Sequence, residues 1–305
     1  MTSTTGSPGR FACAAASADR AEPLAGTATH VRTWLLLEHS GPWGPTALLD
    51  ARLPDGLGAE LRRRAKQHRA KILLVRRARA ARDPERLNVF AARADPVRPW
   101  LEHGTVADLR DVLDLDLGAL RGGGSTGLDR VDEPLLAVCT NGRHDACCAQ
   151  FGRPAAMRLD ETHPDLAWEV SHIGGDRFAG NLVVLPHGLY YGRVTPDNVD
   201  AIADRHLAGE LSLDELRGRS AYPNAVQVAE IALLRHLGTA ALDAVRLTGR
   251  RVEDGVTTAR FAAADGEHDV RVATSTPAGS ATRLTCQAGR DNPVPQHEVL
   301  SIERR

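Results

Sequence analysis

The chain has 305 residues, 42% hydrophobic and 25% charged, an ordinary globular composition with enough apolar material for a sizeable core. The formal net charge of -1 gives no overall argument for binding nucleic acid or a membrane surface. Positive charge is almost all arginine, with Lys66 and Lys71 the lysines, and a run such as Arg62-Arg63-Arg64 reads as a solvated helix face.

In chain order, residues 1–28 are rich in small and polar types and lack the apolar middle of a secretory signal. They are expected to form a disordered lead-in, and the protein is expected to be cytoplasmic, where structural disulfides are rare. No apolar run reaches the roughly 18 residues of a membrane-spanning helix. Residues 31–37 (VRTWLLL) predict a buried strand, followed by the loop Glu38 to Gly44. Residues 57–70 predict a helix, 71–77 and 86–91 strands, Trp100 a further short strand, and 106–117 a helix. Gly122-Gly123-Gly124-Ser125 reads as a linker.

The order then recurs. Residues 135–139 predict a strand, 147–158 a helix, and 166–170, 181–185 and 189–194 three more strands, with Pro186-His187-Gly188 as a tight turn. Pro196-Asp197-Asn198 opens a helix to about Leu207. Both segments read β-α-β-β-β-α, which suggests an internal repeat on an α/β, thioredoxin-like layer plan. The division expected is a lead-in (1–28), a first α/β copy (29–121), a second copy (122–209) and an α+β appendage (210–305). In the appendage, residues 222–237 form an amphipathic helix, and 257–262, 268–273, 283–287 and 297–302 alternate like a small antiparallel sheet.

Of the five cysteines, Cys139, Cys147 and Cys148 cluster within ten residues, while Cys13 and Cys286 stand apart. An odd, clustered set points to metal or redox chemistry and away from a disulfide framework. Cys139 ends a strand and Cys148 lies near a helix start, where the thiolate form is favoured. Between them runs the polar loop Thr140-Asn141-Gly142-Arg143-His144-Asp145. A second loop, Ser171-His172-Ile173-Gly174-Gly175-Asp176, comes directly after the strand at 166–170, and its glycines permit unusual backbone angles and close approach. Amide donors in such loops would tune a metal's potential.

The segments CTNGRHDACC (139–148) and WEVSHIGGDRFAGNLVVLPHGLYYGRV (168–194), with RTWLLLEHSGPWG (32–44), resemble the sucrase/ferredoxin-like family of thioredoxin-like [2Fe-2S] proteins. The resemblance spans about residues 25–205. It implies a thioredoxin-like cluster-binding domain, a [2Fe-2S] cofactor and an electron-transfer role with a redox partner protein that the sequence does not name. Carried over, Cys139 and Cys148 match the family's cysteines and His172 its first histidine. Asp176 stands where the family has a second histidine. Two thiolates, one imidazole and one carboxylate would leave the oxidised centre at about -1, between about 0 for Rieske-type ligation and about -2 for four thiolates, so an intermediate potential is expected. No paired-carboxylate glycosidase site accompanies the resemblance.

Alternatives stand beside each assignment. Cys147 could be a ligand in place of Asp176, or a small buried helix residue. Cys286 reads as a strand core residue and Cys13 as a free thiol in the tail. His144 and His187 read as polar turn residues. Arg143 and Arg177 could offset cluster charge or pair with Asp145 and Asp176. His39 and Trp43 could line an interface between the halves or simply pack a turn. Phe178, Tyr190 and Tyr191 could shield the cluster or fill core and rim. Two other function classes remain open: a thiol-dependent oxidoreductase, weakened by the lack of a C-x-x-C pair, and a structural zinc module.

Overall fold

The computed structural model describes residues 11–79 and 86–305. The first half contains α1 (Cys13–Asp19), β1 (Thr33–Glu38), α2 (Ala47–Asp50), α3 (Leu57–His68), β2 (Ala70–Arg76), β3 (Leu87–Arg93), β4 (Trp100–Val106), α4 (Leu117–Gly122) and β5 (Asp129–Val131). The second contains β6 (Leu135–Cys139), α5 (Ala146–Thr162), β7 (Ala167–Val170), β8 (Leu182–Leu185), β9 (Leu189–Tyr191), α6 (Val199–Leu207) and β10 (Leu216–Arg219). The chain ends with α7 (Asn224–His236), β11 (Val245–Glu253), β12 (Val256–Ala263), β13 (Gly266–Ser275) and β14 (Gln296–Arg304).

The first ten strands make one sheet in the order β10-β9-β8-β6-β7-β2-β1-β3-β4-β5. Within it, β1 runs parallel to β2 and antiparallel to β3, which pairs antiparallel with β4. The second half repeats this: β6 is parallel to β7 and antiparallel to β8, which pairs antiparallel with β9. Each half adds an antiparallel edge strand, β5 or β10. Both halves therefore carry the thioredoxin-like strand order, and the expected repeat is present. They join edge to edge through β2 and β7, which overlap only at their last residues, Val75 with Val170 and Arg76 with Glu169. An ion pair between Arg76 and Glu169 clips this seam.

Strand alternation assigns the faces. Leu35, Leu37, Ile72 and Leu74 pack against α3 and α4 on one face of the first half. On the same face of the second half, Leu136, Val138, Leu182 and Val184 pack beneath α5 and α6. The opposite face, with Trp34, Leu36, Val75, Ala137, Trp168 and Tyr190, is buried as one cluster. The sheet curls to close it: Trp34 of β1 and Tyr190 of β9, several strands apart in order, bring their rings to 6.0 Å. A second sheet, β11-β12-β13-β14, lays Ala259, Phe261, Val270 and Val272 against α7.

Several expectations are corrected. Residues 11–28 are not a mobile lead-in: α1 buries Cys13 and Ser17, and Arg177 and Arg193 bond Glu22; residues 1–10 lie outside the described residues. The helix expected over 106–117 is a 3-10 turn (Leu109–Asp114) followed by α4. One sheet continues past the Gly122–Ser125 linker, since β5 returns to β4. The boundary expected at 209/210 is passed by β10, which pairs with β9 in the large sheet and is fully buried because Arg217 bonds backbone carbonyls and Arg219 pairs with Glu230. Residues 283–287 form a loop, not a strand, so Cys286 is not a strand core residue. No helix among the described residues is long and apolar enough to cross a membrane.

Candidate metal centre

Parallel strands gather the loops that leave their C-terminal ends at one edge of the sheet, where open α/β folds assemble their sites. Cys139 is the last residue of β6, and His172 lies two positions beyond the end of β7. Asp145 caps α5, accepting the Cys147 amide at 2.9 Å, and so sets Cys148 in the helix's first turn. Gly152 lets the helix lie directly on the strand end, because a Cβ there would meet the Cys139 carbonyl oxygen at 2.0 Å. In the second loop, Gly174 and Gly175 adopt φ of +106° and +87°, which turn the chain so that Asp176 faces back toward Cys148.

The ligating atoms of Cys139, Cys148 and His172 lie within 4.8 Å of one another, as do those of His144, His172 and Asp176. The Cys148 thiol donates to Asp176 Oδ1 at 3.3 Å. His172 Nδ1 lies 3.0 Å from the same oxygen, an ion-pair contact whose angle falls short of a hydrogen bond. His144 Nε2 lies 3.5 Å from Asp176 Oδ2, and its ring stacks on His172 with centroids 3.6 Å apart. Cys139, Cys148 and Asp176 are buried, whereas the His172 and His144 side chains are 28% and 31% exposed. The thiols and carboxylate form the floor and the imidazoles the rim.

The electrostatics arise from this packing. The neighbouring Cys148 thiol, aided by His172, holds the Cys139 thiol far below its ordinary value, while the closeness of Cys139 and burial push Cys148 up. Burial opposes charge on His172, but Asp176 and Cys139 outweigh it and raise the imidazole to about 9. Burial would raise Asp176, yet His144 and His172 hold it well below the usual carboxylate range. Two buried cations face this negative floor. Burial lowers Lys71 to about 8 and Arg217 to about 10, while the Cys139 and Asp176 charges act against that fall.

Both halves brace the loops. The Ile173 carbonyl accepts from Lys71 Nζ at 2.7 Å, Tyr190 Oη at 3.3 Å and Thr29 Oγ1 at 3.3 Å. Arg217 donates to the Gly174 carbonyl at 2.9 Å and to Asn181 Oδ1 at 2.7 Å, and Asn181 in turn donates to the Gly175 carbonyl at 2.9 Å. Because β2 and β7 meet at their C-terminal ends, the loop after β1 reaches the loop after β6. Asn141 Nδ2 donates to the Gly44 carbonyl at 3.1 Å, and His144 Nδ1 lies 2.9 Å from the Pro45 carbonyl.

The structure thus brings Cys139, Cys148, His172 and Asp176 together. Cys147 is elsewhere: its sulfur lies 3.4 Å from that of Cys286. Arg177 pairs with Glu22 at 2.6 Å, not with Asp176. His39 and Trp43 pack the turn after β1 within the first half: Trp43 Nε1 donates to the His39 carbonyl at 2.8 Å, and Trp43 joins the first-half core. Phe178, Tyr190 and Tyr191 are buried core residues, with the Tyr190 hydroxyl on the site's second loop. Sequence reasoning missed His144 as a member of the site, although its place between the two cysteines was the available signal. It also missed Lys71, whose signal was being one of two lysines in an arginine-rich chain, and Arg217, which had none. The donor set of two sulfurs, imidazole and carboxylate suits a thiophilic metal.

The profile of the family described as sucrase/ferredoxin-like matches residues 24–218. Among curated proteins, "Altered inheritance of mitochondria protein 32" of Debaryomyces hansenii is 30% identical over 96 residues, 28% of this chain and 35% of that protein. The chain thus spans about a third of that relative's length. Among solved structures, a thioredoxin-like [2Fe-2S] ferredoxin from Aquifex aeolicus aligns at 23% identity and a TM-score of 0.27, covering 30% of this chain and 97% of that one. A cysteine-to-serine variant of that ferredoxin aligns at 24% identity and a TM-score of 0.25, over 27% of this chain and 96% of the variant.

Proposed function

The chain belongs to the sucrase/ferredoxin-like family, and from that premise we propose that it is an electron-transfer protein holding a [2Fe-2S] cluster through Cys139, Cys148, His172 and Asp176. The observation that supports this reading is the meeting of Cys139, Cys148 and His172 within 4.8 Å of one another, from two separate loops, with Asp176 beside Cys148 and His172. When bound, such a cluster supplies a one-electron couple. The thiolates of Cys139 and Cys148 would hold it on the buried side, and His172 on the side that reaches solvent. Tyr190, buried, holds the second loop through its hydroxyl on the Ile173 carbonyl. Lys71 and Arg217 offset the extra negative charge that a carboxylate ligand brings. Two buried thiols and an imidazole at the rim, with a carboxylate beside them, fit a group that accepts sulfur and nitrogen donors from several directions at once. His144, stacked on His172 beside Asp176, is the second candidate for the fourth ligand.

Iron and acid-labile sulfide analysis of anaerobically purified protein tests this. About two irons and two sulfides per chain are expected, lost in Cys148→Ser, with Asp176→Ala and His144→Ala compared for the fourth ligand. Protein that stays iron-free after reconstitution with iron and sulfide, or that fills the Cys139–Cys148 site with zinc, would sink the proposal.

A further inference from the structure

A second set of donors lies on the other side of the α5 N-terminus. Cys147 and Cys148 are adjacent, so the helix sends their sulfurs in different directions. Cys148 turns to Asp176, while Cys147 turns to Cys13 of α1 and Cys286 of the long connection 276–295 between β13 and β14. The Cys147 and Cys286 sulfurs are 3.4 Å apart, and those of Cys286 and Cys13 are 3.6 Å apart. Cys13 Sγ lies 3.6 and 3.7 Å from the two Asp145 carboxylate oxygens. One donor atom from each of the four residues falls within 4.8 Å of all the others.

These separations are too long for a disulfide, whose sulfurs sit about 2.05 Å apart. They match the edges, about 3.8 Å, of a tetrahedron with metal–sulfur bonds of about 2.3 Å. Charge makes an independent case. Asp145 is fully buried, and among the described residues it has no salt-bridge partner. Its oxygens are aimed by two backbone amides, Cys147 N at 2.9 Å and Cys286 N at 2.6 Å. A buried carboxylate facing three thiols lacks the cation that would offset it.

We propose that Cys13, Cys147, Cys286 and Asp145 form a second, closed metal site for a tetrahedral thiophilic divalent cation of the zinc class. The site is structural. It ties α1 and the 276–295 connection to the helix start that carries Cys148. Binding replaces the thiol protons with the metal and releases them to solvent.

Elemental analysis, and cobalt substitution of the full-length protein, test it. Wild type should hold about one zinc per chain besides any iron, and its cobalt form should show the strong thiolate-to-metal absorption of tetrahedral sulfur ligation. Cys13→Ser and Cys286→Ser should each lose that zinc and that band while keeping their iron. Cys139→Ser should lose iron and keep zinc, which separates the two centres. Zinc-edge X-ray absorption on wild type needs no variant and should show three sulfurs and one oxygen. Wild type that takes up neither zinc nor cobalt, serine variants that retain as much zinc, a coordination sphere of two sulfurs, or a disulfide among these cysteines in fresh protein would each overturn the site.

Discussion

Gly152 carries no chemistry, yet a methyl group there would meet the Cys139 carbonyl at 2.0 Å. Backbone cannot swing aside as a flexible side chain can, so Gly152→Ala should push α5 off β6 and widen the gap between Cys139 and Cys148. A loss of about 3 kcal/mol in denaturant unfolding, together with reduced iron content, is expected. Lys71 acts by charge. Its ammonium is buried, bonds the Ile173 carbonyl and stays protonated at neutral pH with a value near 8. Removing it leaves an added electron less compensated, so Lys71→Met should lower the reduction potential by on the order of 50 mV, where 59 mV is a tenfold change for one electron. A potential that does not move in a redox titration would mean that Lys71 serves the loop and not the charge.

At the scale of elements, β10 shows how a polar strand becomes interior. Arg217 is buried because its guanidinium bonds the carbonyls of Thr27 and Gly174 and the Asn181 side chain. Arg217→Met would leave these acceptors unpaired and release the loop that carries His172 and Asp176. Destabilisation of about 3 kcal/mol is expected, read from the urea midpoint. The same strand marks where sequence reading ran out. Apolar runs such as Leu35-Leu36-Leu37 and Leu135 to Val138 declare buried strands, and each opens one copy of the repeat. LRGR carries no such pattern, because its burial depends on residues about 190 and 36 positions away. The candidate site was legible as two local motifs, since Cys139 to Cys148 and His172 to Asp176 are each short. His144 was hidden by its turn-like surroundings. Cys13 and Cys286 were illegible as partners because 273 positions separate them.

For the whole molecule, the join of the halves at β2 and β7 makes the first copy part of the site, through Lys71, Gly44 and Pro45, although it contributes no cysteine to the floor. The second sheet and α7 complete the core, and acid should expose a weak point nearby. His187 and His206 pack edge to face at 5.0 Å, and burial lowers them to about 3 and about 4. In the unfolded chain each binds a proton near pH 6.5, while the folded protein refuses it. Stability is therefore full above pH 6.5 and falls as pH drops toward 4, by up to about 1.4 kcal/mol per pH unit for each histidine. His206→Gln should flatten that slope when urea midpoints are compared across pH 4 to 7. Mixed ligation around paired irons is the central proposal. Its most direct measurement is electron paramagnetic resonance of the dithionite-reduced, anaerobically purified protein with nitrogen hyperfine spectroscopy. A rhombic reduced-cluster signal with one strongly coupled imidazole nitrogen, lost in His172→Ala, is expected. A reduced protein with no such signal, or one whose signal carries no imidazole coupling, would contradict it.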